Sequence, residues 1–198
     1  PAGLALVLIA GSELFTGNCL LVIPLLEKEV KFSGVLRNWV LVYLGNFAGS
    51  IILALLVVFS HTPSQVDGAL LDTMMSVANG KVSLSFGDAL LRGIICNIFV
   101  CLAVWMSFAG KTVVSKIAGL YFPIMIFVLG GFEHSVANMY YLSAGIFANS
   151  VYGVGNAAVN WGAALVNNLL PVTIGNIIGG ALIGVTYWFI YLRGAKKN

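Results

Sequence analysis

Five stretches of this chain are each apolar for about 20 residues or more, the length a helix needs to cross a bilayer. They run from Ala2 to Leu26, Trp39 to Phe59, Ala89 to Ala109, Ile117 to Phe147 and Leu165 to Leu192. No other feature narrows the fold as far. In hydrocarbon every backbone N–H and C=O must find a partner inside the protein, which for such segments leaves the helix. Composition agrees: the 198 residues are 60% hydrophobic and 9% charged, against roughly 25% charged in a soluble domain. Short polar connections such as Glu27-Lys28-Glu29-Val30-Lys31 separate the spans. A longer one, His61 to Asp88, carries Pro63, Gly68, Gly80 and Gly87 as breakers and reads as a connection. The expected fold class is an all-α membrane protein, with residues 1–198 forming one transmembrane channel domain.

The lysines and arginines orient the bundle. Lys28, Lys31 and Arg37 follow the first span, Lys111 and Lys116 the third, and Arg193, Lys196 and Lys197 the fifth. These sites fall on one face, read as cytoplasmic by the excess of positive charge, while Lys81 and Arg92 fall on the other. The expected location is therefore an inner (cytoplasmic) membrane of bacterial type, with the C-terminus cytoplasmic. A net charge of +3 is too small to suggest nucleic acid as a partner. Cys19, Cys96 and Cys101 all lie in apolar stretches without metal-ligand spacing and read as small buried hydrophobes. Neither a metal nor a cofactor is expected.

The sequence repeats itself. Gly11-Ser12-Glu13-Leu14-Phe15-Thr16-Gly17-Asn18 lines up with Gly131-Phe132-Glu133-His134-Ser135-Val136-Ala137-Asn138 on the pattern G-x-E-x-x-x-x-N. Further on, Asn38, Gly45, Asn46 and Gly49 match Asn168, Gly175, Asn176 and Gly179 at identical spacing. The second half-repeat, residues 88–192, holds three spans; the first, residues 1–60, holds two. The counterpart of the opening helix is expected to be missing from this chain, which begins at Pro1 without an initiator Met, so that the intact protein would have six spans. Three spans per repeat make the halves antiparallel, the inverted plan common in transport proteins. Gly45-Asn46-Phe47-Ala48-Gly49 and Gly175-Asn176-Ile177-Ile178-Gly179 are both small-xxx-small patterns. These allow helices to approach closely, with Asn46 and Asn176 able to bond across the contact.

Glu13 and Glu133 sit near the middle of apolar spans, where an ionised side chain is costly unless partnered. With Gly11, Gly17, Gly130 and Gly131 around them, they suggest two helices that break partway across the membrane. Freed backbone there must be buried in protein or line a watery cavity, and a half-helix N-terminus favours an anion. Because they occur in both halves, Glu13 and Glu133 read as structural, accepting hydrogen bonds from the freed backbone or a neighbouring helix. The repeat says more where it fails. His134 stands opposite Leu14, and Thr16 opposite Val136. A histidine at a mid-membrane break with an apolar mate reads as pore-lining. Its ordinary pKa near 6.5 allows proton exchange around neutral pH, and Thr16 offers a hydroxyl to the same solute.

At these residues the chain resembles the formate/nitrite transporter family, whose members carry formate, nitrite or hydrosulfide. The matching stretches include Glu13-Leu14-Phe15-Thr16, Asn38 through Asn46, Lys81, Asn97 and Ala103-Val104-Trp105-Met106-Ser107. They continue through Gly131-Phe132-Glu133-His134-Ser135-Val136-Ala137-Asn138-Met139 and Pro171 through Gly180, end to end along the chain. The resemblance implies an aquaporin-like fold and a homopentamer with one pore per protomer. It implies a central His134 facing Thr16, with Asn97 and Lys81 on the outer side of the path. Leu4, Phe15, Val100 and Phe127 would be the apolar positions that narrow it.

The expected activity is passage of a small monovalent weak-acid anion through the bilayer. A bare anion entering an apolar constriction faces a desolvation cost that is formally tens of kcal/mol. Two solutions are open. In one, His134 lends a proton and the solute crosses as a neutral acid. In the other, His134 and Thr16 hydrogen-bond the anion while helix dipoles offset its charge. Lys81 would concentrate anions at the mouth. A proton-coupled symporter is a kinetic variant of this reading. A water or neutral-solute channel is a poorer fit, because the breaks carry no Asn-Pro-Ala boxes. An enzyme is not expected, since His61 and His134 lie far apart and no Ser/His/Asp or paired-Asp arrangement occurs.

Overall fold

The computed structural model describes residues 1–194; Lys196 and Lys197, counted above for orientation, lie outside the described residues. The described chain is helical throughout, with turns and no strand. Three helices are long and apolar enough to cross a membrane unbroken: Phe32–Phe59, Phe86–Phe108 and the run Trp161–Leu192. The other two expected spans are interrupted. The first consists of α1 (Ala2–Ala10), a break, then a tight turn over Gly17–Leu21 leading into α2 (Val22–Leu26). After α3 (Phe32–Phe59), α4 (Ala69–Val82) and α5 (Phe86–Phe108), the second comprises α6 (Val113–Leu129), a break, and α7 (Ser135–Val151). The last span starts with the short α8 (Trp161–Ala163), widens over Ala164–Leu169, and continues as α9 (Leu170–Tyr187).

Local chemistry sets these boundaries. Gly11 ends α1 in the left-handed region at φ +78° and returns its N–H to the Val7 carbonyl, a position glycine adopts without a Cβ penalty. Gly131 does the same work at the second break, at φ +65°. Ser85 caps α5 by accepting from the Asp88 N–H, and Thr112 and Ser115 form a reciprocal capping box on α6.

α4 departs from expectation. Its stretch reads as a polar connection because Gly80 and two charged residues, Asp72 and Lys81, interrupt the apolar pattern. In the fold it is a 14-residue helix whose buried Met75, Ala78 and Val82 pack with α7 against α3 and the Ala164–Leu169 turn. Tertiary packing of one narrow apolar face outweighs the poor helix propensity of Gly80.

The two glycine pairs behave differently. On α9, a Cβ at Gly175 would fall on the Leu90 carbonyl and one at Gly179 on the Ile94 carbonyl, so α9 lies backbone to backbone on α5. On α3, Gly45 and Gly49 have nothing within 4 Å. Only 6% of the apolar window of α3 is buried, against 44% for α5 and for Trp161–Leu192. α3 does meet α9 at one telling point. Tyr43 and Thr173, which the repeat makes equivalent, hydrogen-bond to each other at 3.0 Å.

Candidate functional site: two helix breaks and the cavities between them

Each break leaves backbone groups without helical partners, and the two are satisfied by the same device. At the first, Asn46 of α3 accepts from the Phe15 N–H at 3.0 Å and donates to the Glu13 carbonyl at 3.0 Å. At the second, Asn176 of α9 accepts from the Ser135 N–H at 2.8 Å and donates to the Glu133 carbonyl at 3.0 Å. Asn176 also donates to the Gly93 carbonyl of α5 at 2.8 Å, a partner Asn46 lacks. The glutamate side chains do something else. The Asn18 amide donates to the Glu13 carboxylate and to Asn38, and the Asn138 amide donates to the Glu133 carboxylate and to Asn168. Thus it is the repeat's asparagines, rather than the glutamates, that take up the freed backbone.

The halves then diverge. Glu133 is 4% exposed and receives both Lys81 Nζ contacts, at 2.9 and 3.0 Å, with Asn168 adding a third donor at 3.1 Å. Asn168 also donates to the Lys81 carbonyl, and the Lys81 ammonium stands 5.5 Å from the centre of the Tyr141 ring. Glu13, by contrast, is exposed.

His134 stands at the start of α7 as its N-cap. Its Nδ1 accepts from the Ala137 N–H at 3.1 Å, and its Nε2 lies 2.8 Å from Thr16 Oγ1. An Nδ1 that accepts carries no proton, so the neutral ring holds its proton on Nε2 and donates to Thr16. The Phe127 ring stacks on the imidazole at 5.7 Å. One short bond therefore joins the first break to the second across 118 residues.

Two cavities lie beside the breaks. The larger, about 820 Å³, has His134, Lys81, Phe127, Val100 and Tyr141 in its wall. The smaller, about 380 Å³, is almost wholly apolar and includes Val104, Trp105 and Phe108. Leu4, Val7 and Leu14 belong to both walls and form the partition between them.

The expected site residues divide accordingly. His134, Lys81, Leu4, Val100 and Phe127 line a cavity. Thr16, fully buried, reaches the larger cavity only through His134. Phe15 and Asn97 line neither cavity. Phe15 is 3% exposed, its ring set edge-on between Tyr43 at 5.0 Å and Trp39 at 6.3 Å. Asn97 is fully buried behind Thr16. Val7 and Tyr141 were not anticipated, because an apolar or aromatic residue inside a span carries no mark of facing a cavity. Leu14 had such a mark, being the repeat mate of His134. Among the described residues no three of His, Cys, Asp and Glu come together as a metal site.

Comparison with known proteins shows the family. The family model described as formate/nitrite transporter matches residues 1–189. A probable formate transporter of Methanothermobacter thermautotrophicus is 41% identical over 209 residues, covering 98% of this chain and 73% of that protein. The formate channel FocA of Escherichia coli (strain K12) is 39% identical over 203 residues, covering 96% of this chain and 71% of its own length. Among solved structures, a pentameric formate channel with formate bound superposes with a TM-score of 0.85 at 37% identity, covering 96% of this chain and 80% of that one. An all-helical integral membrane protein with two asparagine-clamped helix breaks, matched across nearly its whole length, this chain belongs to the formate/nitrite transporter family of transport proteins.

Proposed function

We propose that this chain conducts formate, and on the same chemistry nitrite or hydrosulfide, through a path that runs from one cavity to the other past His134. The observation that carries the reading is the 2.8 Å bond between Thr16 Oγ1 and His134 Nε2, where the two interrupted helices meet at the wall of the larger cavity. The names of the relatives support formate as the solute, and the pentameric neighbour supports a homopentamer with one path per protomer.

The hydrogen bonds of His134 favour one of the two ways of moving an anion. With Nδ1 occupied as the acceptor for Ala137 N–H, the ring cannot take a second proton without giving up the cap of α7. Handing over its Nε2 proton would leave an imidazolate in apolar surroundings, which is costlier still. His134 therefore acts as a neutral donor. As the anion arrives, the Nε2–H passes from the Thr16 oxygen to it and the Thr16 hydroxyl, whose own proton is free, becomes the second donor, at the N-terminal end of α7 where the helix dipole favours negative charge. Lys81 is recast by its partner: bound to Glu133, it contributes a balanced pair to the larger cavity rather than a free positive charge. The field that draws anions in comes mainly from the half-helix ends.

The finer architecture belongs to the same proposal. The matching Asn46 and Asn176 clamps and the Tyr43–Thr173 bond between equivalent residues support an inverted repeat of aquaporin-like type about an axis between α3 and α9. The open Gly45 and Gly49 face would then receive a helix as Gly175 and Gly179 receive α5. The C-terminus and the Lys28, Lys111 and Arg193 ends then lie on the cytoplasmic side of an inner membrane.

The test is formate flux into liposomes across a pH series, for the wild type and for His134→Asn. A neutral donor predicts that asparagine, which keeps a cap acceptor and an N–H donor, retains a reduced flux with the wild-type pH profile. A profile that flattens in the variant would instead favour proton lending by His134. A further arm measures pH change inside the vesicle on formate addition, which separates anion passage from proton-coupled symport.

A further inference from the structure

We propose that Asn97 is a positioning residue that holds the Thr16 hydroxyl against His134, acting from behind the path rather than on its wall. This rests on the reading of Thr16 and His134 as the crossing point. Asn97 lies on α5 and is fully buried, clear of both cavities. Its Nδ2 donates to two carbonyls, that of Thr16 at 3.1 Å and that of Asn176 at 2.6 Å. The first acceptor belongs to the break that carries Thr16. The second belongs to the residue whose side chain clamps Glu133 O and Ser135 N on either side of His134. One amide nitrogen thus ties together both ends of the Thr16–His134 bond.

Thr16 is held by more than this amide. Its carbonyl also receives the Cys101 thiol at 3.6 Å and the Cys19 N–H at 3.4 Å, while the Cys19 thiol donates to the preceding carbonyl of Phe15 at 3.5 Å. Three donors converging on one carbonyl fix the peptide plane, and a β-branched side chain on a fixed backbone has little freedom at χ1. The position of Oγ1 follows. Opposite the amide, Gly180 of α9 leaves no slack: a Cβ there would fall on Cys19 and within 2.6 Å of Asn97 Nδ2. Glycine there lets α9 pack directly on the amide. Only the fold reveals this arrangement, because the partners of Asn97 lie 81 and 79 residues away.

A double-mutant cycle tests it. Formate flux in liposomes is measured for Asn97→Leu in the wild-type, Thr16→Val and Thr16→Ser backgrounds, at matched amounts of assembled protein. Misplacing Oγ1 is expected to cost about tenfold in the wild type. In Thr16→Val, which has no hydroxyl to misplace, the further loss should fall below about twofold. In Thr16→Ser, whose lighter side chain leans more on the backbone for its direction, the loss should exceed that in the wild type. Equal fold losses in all three backgrounds overturn the proposal, since they mark Asn97 as a general brace. If Asn97→Leu does not assemble, Cys101→Ala removes a weaker donor from the same carbonyl and should show a smaller loss with the same dependence on residue 16. No loss with Cys101→Ala, or an equal loss in each background, overturns it as well. Wild-type flux no greater than that of empty liposomes would instead count against the channel reading itself, which keeps the two failures apart.

Discussion

Glu133 is an acid buried at mid-membrane, and its surroundings are arranged to make that tolerable. Lys81 supplies the countercharge and Asn138 and Asn168 supply neutral donors, so each carboxylate oxygen is partnered. Removing one member of a buried pair leaves an uncompensated charge, which costs about 3–5 kcal/mol, whereas replacing both members is often nearly neutral. Lys81→Met is therefore expected to lower thermal stability in detergent sharply, and adding Glu133→Gln should recover most of the loss. A double variant as unstable as the sum of the singles would show that the pair itself stabilises the fold. The repeat placed Glu133 and Asn138 in one pattern from the outset. What it concealed was their contact, because residues five apart share no helix face and meet only once the helix has broken. Lys81, 52 residues from its partner, left no local trace at all.

At the scale of elements, the breaks were legible as glycines flanking an intramembrane acid, and both are found where that pattern stands. Their repair was only half legible. Asn46 and Asn176 were visible as repeated residues inside small-xxx-small motifs, where close packing suffices as an explanation; their second role as clamps depends on the break lying opposite. The two clamps should differ in strength. Asn176 makes three hydrogen bonds in a fully buried setting, and Asn46 makes two on the more open side. At roughly 1 kcal/mol per net bond, and more for each buried group left unpaired, Asn176→Ala is expected to cost about 3 kcal/mol and Asn46→Ala markedly less. Denaturation monitored by loss of helical circular dichroism orders the two, and a reversed order would contradict the account of the second break as the tighter one. α4 escaped the reading for a related reason. Its apolar face is three residues wide and acquires meaning only against α7.

At the scale of the whole molecule, α3 is the unfinished part of the picture. Its counterpart α9 buries Gly175 and Gly179 against α5, while Gly45 and Gly49 look outward. Within the proposed inverted plan this face is covered by a helix, so Gly49→Leu should weaken assembly on size-exclusion chromatography. Unchanged assembly would indicate that lipid, which tolerates the added bulk, covers it instead. The apolar spans were legible in the sequence alone. The partition of the interior into two cavities was not, because Leu4 and Val7 differ in no sequence property from apolar residues that face lipid, and Leu14 is marked only as the repeat mate of His134.

The proposed path turns on His134. The most direct measurement is formate uptake by stopped flow into liposomes carrying the wild type or His134→Leu, beside empty liposomes. The prediction is uptake well above the empty control for the wild type, and a fall to about that control for His134→Leu, which keeps the bulk but offers the anion no donor where desolvation is most costly. Uptake that His134→Leu leaves unchanged would contradict a path past His134.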